Sequence, residues 1–234
     1  SGVFFAEYKN VPFLARKVAV TQLPSVSSLA TLRALPPPPA NRETFAAFGD
    51  PWFNQEQATE AKQQLAMNAL QTRGRLVRRN APKTDGVDSA ELALLPRLPD
   101  TAEEVTSIAL ALKADPARDV FIGAAANEKT VKTMDLSQRK IVMFATHGLV
   151  PGDLNGLTQP ALAMSAPDVA LVDGDGLLTM EEVLALKLNA DWVVLSACNT
   201  ATGSGAGAEA VSGLGRAFFY AGTRALLVSN WPVE

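Results

Sequence analysis

The chain has 234 residues, with 21 Lys+Arg against 24 Asp+Glu, one His, one Cys and 47% hydrophobic residues. Apolar content near half, with 19% charged residues, supports a substantial core and excludes a disordered chain. A net charge of -3 gives no general attraction to nucleic acid or anionic membranes, no apolar run reaches the roughly 18 residues of a membrane span, and one Cys with one His excludes an internal disulfide and a Cys/His structural zinc site. No metal or cofactor is expected.

Lys17-Val18-Ala19-Val20-Thr21 alternates like a short strand, and Ser25 can cap a helix through Leu35 that Pro36 to Pro39 terminate. The four prolines favour an extended spacer. Phe45-Ala46-Ala47-Phe48 before Gly49-Asp50-Pro51 reads as a buried strand ending in a turn, and residues 55 to about 71 have helical character. Arg73, Arg75, Arg78, Arg79 and Lys83 form a basic cluster beside Gly74, Pro82 and Gly86. No aromatic residues interleave it to stack bases, so residues 74–88 read as an exposed loop and a candidate cleavage site.

From Leu98 the pattern becomes regular. Thr101-Ala102-Glu103-Glu104 predicts a capping box opening an amphipathic helix to about Lys113. A short strand follows at 119–122, a helix at 127–134 and a strongly apolar strand at 140–146. Thr179-Met180-Glu181-Glu182 predicts a second capping box on a helix to Lys187. A buried strand at 191–197, a helix at 209–221 and a last strand at 224–229 complete the alternation. Continuous apolar strands separated by single helices indicate an α/β fold, with a mainly parallel sheet covered by helices on both faces. The chain reads as a single domain, with a less regular part at 1–97 and a core at 98–234.

In such sheets, sites form at the carboxyl ends of the strands, where the only His and the only Cys both fall. Ile141 to Thr146 runs into His147-Gly148, and Trp192 to Ala197 runs into Cys198-Asn199. A thiol near an imidazole favours the thiolate that attacks carbonyl carbon. The backbone N–H groups of Gly148 and Cys198 can hold the developing oxyanion, and His147 can protonate the leaving amine. The bland alternative is a core thiol and a satisfied histidine. Their separation of 51 positions favours the chemical reading, because it is close to the roughly 50 between the His and Cys of caspases.

Ala145-Thr146-His147-Gly148 and Leu195-Ser196-Ala197-Cys198-Asn199-Thr200-Ala201 resemble the two signatures of the CHAT domain, a caspase-like cysteine peptidase domain often attached to TPR repeats. Further likeness lies in Gly49-Asp50-Pro51, the Thr101 helix with Glu104, Ala126-Asn127-Glu128-Lys129, Asp175-Gly176-Leu177-Leu178, Gly213-Leu214-Gly215-Arg216-Ala217-Phe218 and Ser229-Asn230-Trp231-Pro232-Val233. The resemblance implies a caspase-like fold, peptide-bond hydrolysis of a protein substrate by a His147/Cys198 dyad, and an oxyanion hole of Gly148 and Cys198. It also implies regulation within a larger protein or assembly, with TPR repeats in the same or a partner chain. The family continues past its Trp-Pro-Val segment, so a C-terminal portion is expected to be missing here. A catalytically inactive interaction module on the same fold is the competing expectation.

Asp153, Asp173, Asp175, Ser196, Asn199 and Trp231 are the candidates for the substrate cleft. The run from Asp173 to Glu182 imitates the second half of an EF-hand loop, but Leu171 stands at its first ligand position, so a polar turn into a capped helix is expected. Gly203-Ser204-Gly205-Ala206-Gly207 lacks the P-loop Lys and the dinucleotide spacing, and reads as a loop shaping the cleft. A cytoplasmic location is expected from the charge balance and the lack of a basic-then-apolar N-terminal segment.

Overall fold

The computed structural model describes residues 34, 37–70, 89–196 and 206–228. The chain divides into two units, Ser1–Pro38 and Pro39–Glu234, and the sheets lie wholly within the second. The strand expected at 17–21, the helix expected from Ser25 and the loop expected at 74–88 lie outside the described residues.

The apolar run at 45–48 forms β1 (Glu43–Gly49), which stops where Asp50 turns into the left-handed region at φ 46° ahead of Pro51. Asn54 then starts α1 (Gln55–Leu70), its Oδ1 accepting the Gln57 N–H at 2.8 Å. Three further helices follow before β2 (Val120–Ile122): α2 (Ser89–Leu92), α3 (Asp100–Ala111) and α4 (Pro116–Asp119). Next come α5 (Glu128–Thr133), capped by Asn127, and β3 (Arg139–Ala145). The chain continues through β4 (Gly148–Leu149), β5 (Ala161–Ala163), α6 (Pro167–Ala170), β6 (Leu177–Thr179) and α7 (Met180–Ala185). It closes with β7 (Trp192–Leu195), α8 (Ala206–Ala221) and β8 (Leu226–Val228).

Five strands form one parallel sheet in the order β2-β1-β3-β7-β8. Side chains alternate faces along a strand, so the apolar runs feed two cores. Ala46, Phe48, Val142, Phe144, Val193 and Leu195 meet α5, α7 and α8 on one face. Phe45, Ala47, Met143 and Ala145 meet Val105 and Ala109 of α3 on the other. Phe48 stacks between Phe121 and Phe144, with ring centroids 5.2 and 5.3 Å away. The expected α/β class and parallel sheet are therefore found.

Three expectations need correction. Thr101 does not cap α3: the helix begins one residue earlier, at Asp100, with Pro99 before it and no side-chain cap. The Thr101 hydroxyl instead donates to the Leu98 carbonyl at 2.7 Å and accepts the Asp50 N–H at 2.8 Å. Asp119, expected in a strand, ends the short helix α4, because Asp115 caps that turn and Pro116 fits its first position. The three-stranded antiparallel sheet, β4-β5-β6, has no counterpart among the expected elements. Its strands have only two or three residues, too few for alternation to be read. The second capping box is present in full: Thr179 accepts the Glu182 N–H and Glu182 accepts the Thr179 N–H.

Successive strands leave β1 in opposite directions, β2 to one side and β3 to the other. The sheet thus changes winding direction between β1 and β3, which opens a crevice outside their carboxyl ends.

Candidate active site

That crevice is where β3 delivers His147. Thr146, fully buried, donates its hydroxyl to the Ala163 carbonyl at 2.5 Å, and the Ala163 N–H returns a bond to the His147 carbonyl at 2.9 Å. The chain is thereby transferred from the parallel sheet to the antiparallel one, with Thr146 and the His147 carbonyl both tied to Ala163. The half-buried imidazole packs against Phe53, with ring centroids 5.7 Å apart.

The imidazole Nε2 lies 2.7 Å from the Pro96 carbonyl. A carbonyl only accepts, so Nε2 carries the proton and Nδ1 is left as the basic lone pair. Burial pushes the His147 pKa below its ordinary value, and the Pro96 carbonyl opposes that shift. The ring is therefore neutral at pH 7 and able to take up a proton.

Gly148 is the next residue. The bond between the Ala163 N–H and the His147 carbonyl makes Gly148 and Leu162 the pair that exchanges no hydrogen bonds in the antiparallel ladder. The Gly148 N–H therefore points away from β5, off the open edge of the small sheet, as an oxyanion donor requires.

β3 and β7 pair in parallel from Ile141 opposite Trp192 to Phe144 opposite Leu195. This register offset of 51 residues equals the separation of His147 from Cys198, and each of the two lies three residues past the last paired position of its strand. Cys198, Asn199 and Trp231 themselves lie outside the described residues, as does most of the glycine-rich loop. Ser196 is described: its N–H bonds to the Phe144 carbonyl at 2.9 Å, and its hydroxyl donates to the Glu104 carboxylate at 3.0 and 3.2 Å.

The three candidate cleft aspartates stand apart from this group. Asp153 accepts the Val150 N–H and Asp175 accepts the Leu177 N–H, each within its own turn, and Asp173 is exposed. No hydrogen bond or ion pair joins any of the three to His147 among the described residues. An apolar hollow of about 310 Å³ also lies elsewhere, over Phe45, Ile108, Leu112, Ile141 and Trp192, with no polar group to orient a reacting bond.

Pro96, Arg97 and Phe53 carry no signal in the sequence that marks them for the site. A backbone carbonyl is silent in residue type, and Arg97 looks like any loop cation. In the structure Arg97 grips Asp50 at two points, Nε to Oδ1 at 2.8 Å and Nη2 to Oδ2 at 2.6 Å. Burial pushes the Asp50 pKa up, and the Arg97 hydrogen bonds and charge work against it.

A mainly parallel sheet of this order, covered by helices on both faces, defines an α/β caspase-like fold. The chain belongs to the CHAT domain family, whose family model matches residues 4–234. That family is caspase-like and peptidase-related. No curated protein matches the chain. Among the described residues, no helix is long and apolar enough to cross a membrane.

Proposed function

We propose that this domain is a cysteine endopeptidase acting on a protein substrate through His147 and Cys198. The observation that carries the reading is the orientation of His147: Nε2–H is tied to the Pro96 carbonyl, which leaves Nδ1 to exchange a proton with a thiol. The shared offset of 51 residues supports it, since adjacent parallel strands run about 4.8 Å apart.

In this mechanism His147 takes the Cys198 proton, and the thiolate attacks the scissile carbonyl carbon. The Gly148 and Cys198 amides hold the oxyanion, and His147 returns the proton to the departing amine. Water then attacks the thioester carbonyl, with His147 again the base, and the acid product leaves as the thiol re-forms. Asn199 and Trp231 are proposed contributors to the cleft, together with Ser196. TPR repeats, in the same chain or a partner, are the proposed regulatory setting, in the cytoplasm.

The test measures the alkylation rate of Cys198 against pH by intact mass, in the wild type and in His147→Ala. As the only thiol, Cys198 makes each mass shift unambiguous. Reactivity persisting well below the ordinary thiol pKa of about 8.5 and collapsing in the variant is the expected result. Identical slow rates in both proteins would leave the fold as an interaction module.

A further inference from the structure

Four polar contacts at the carboxyl end of the sheet trace back to one short stretch of chain. Pro96 accepts from His147 at the end of β3, and Arg97 grips Asp50 at the end of β1. Thr101 holds the Asp50 N–H, and Glu104 holds the Ser196 hydroxyl at the end of β7. From these contacts we infer that residues 96–104 form a positioning clamp, in which Arg97 fixes the Pro96 carbonyl that selects the His147 tautomer and Glu104 fixes the end of β7. The inference rests on the dyad reading for its purpose, but its geometry concerns the described residues alone.

Asp50 anchors the first arm. It is 1% exposed, it sits at φ 46°, and its backbone is fixed on both sides by the Thr101 hydroxyl and the Gly123 N–H. A two-point guanidinium–carboxylate contact sets direction as well as distance. Arg97 therefore cannot turn without breaking it, and the carbonyl of the preceding residue is held toward His147. The second arm begins with Glu104, whose place in the sequence pattern suggests a cap for α3. Helix α3 has no side-chain cap, and both Glu104 oxygens lie over Ser196, two residues before Cys198. Thr101 and Glu104, the two ends of the failed capping pattern, are thus both turned toward the sheet end. A pattern that gives up a local stabilising role where several strands meet is the behaviour expected of a functional site.

The 234-residue chain, labelled with nitrogen-15, gives one pair of ring signals, because it has one histidine. The wild type should show the Nε2–H tautomer at neutral pH. Arg97→Gln should populate both tautomers, and Arg97→Lys, which keeps the charge without the fork, should fall between. A merely structural Arg97 would lower thermal stability and leave the ring signals of the folded protein where they are, which would overturn this arm. The second arm is read on the thiol. Glu104→Ala should slow its alkylation by about tenfold near neutral pH, the worth of a hydrogen bond to a charged group, and Glu104→Gln, which still accepts from Ser196, should restore most of the rate. Equal rates in Glu104→Ala and the wild type would overturn it, and this arm decides the matter if Arg97→Gln does not fold. Thiol reactivity indifferent to His147→Ala would remove the dyad reading, and the tautomer result would still stand or fall by itself.

Discussion

At the amino ends of the strands, Arg139 donates to the Phe45 carbonyl at 2.8 Å and pairs with Asp119 and Glu43 at 2.6 Å. Arg42 grips Asp191 with both carboxylate oxygens at 2.9 Å. At the carboxyl ends, Arg97 and Glu104 make contacts of similar length to Asp50 and Ser196. The two sets differ in what lies beside them. The amino-end pairs tie the starts of neighbouring strands together and meet one another's charge. The carboxyl-end contacts hold the ends of β1 and β7 and, through Pro96, the Nε2 of His147, whose Nδ1 has no hydrogen-bond partner among the described residues. Charged side chains thus tie neighbouring elements together at both ends of the sheet.

Substitutions should separate these roles. The largest effect is expected from His147→Ala, which should lower peptide hydrolysis by the complete protein by about 100- to 10,000-fold, the usual loss of a general acid–base, while the circular dichroism spectrum is retained. Undiminished hydrolysis would place the chemistry elsewhere. Asp119→Ala removes one of the two carboxylates on Arg139, leaving Glu43, and should cost about 1.5–3 kcal/mol in urea unfolding, with the thiol alkylation profile unchanged. An altered profile would mean that the two ends are coupled. Gly123→Ala should cost about 1–3 kcal/mol, because the backbone sits at φ 58° and a Cβ would come within 2.5 Å of the Trp52 ring. Thermal unfolding measures that loss.

The smallest expected effect is in the pH dependence of stability. The folded-state pKa of His147 is lowered by burial from 6.5, so the unfolded chain binds the proton more readily. The stabilisation is complete above about 6.5 and declines as pH falls through the lowered value. Asp50, pushed up by burial, acts with the opposite sign: its contribution is present below 3.8 and is lost as pH rises through the raised value. Subtracting the pH profile of His147→Gln from that of the wild type isolates the histidine. A difference that does not change between pH 7 and 5 would refute the burial argument.

The long elements are legible in the sequence because their signals are repetitive. The apolar runs that form β1, β3 and β7 and the second capping box need no tertiary knowledge. The antiparallel sheet is illegible because its strands are shorter than one period of the pattern that would reveal them. At the site, His147 and Gly148 can be read from residue type and strand position. Pro96 cannot, since it acts through a main-chain oxygen. Glu104 misleads: its spacing from Thr101 satisfies a local rule that a contact with a residue 92 positions away overrides.

The parallel register of β3 and β7 also has a consequence in time. A parallel pair cannot close until the whole crossover between its strands has been made, and such non-local pairing is slow to form. At a synthesis rate of roughly 10 residues per second, a ribosome exposes the His147 segment on the order of five seconds before the segment just past β7. Through that interval the histidine can rest against Pro96 before the segment past β7 has been made. The topology that sets the 51-residue register of β3 and β7 therefore also decides when the ends of these two strands can first meet.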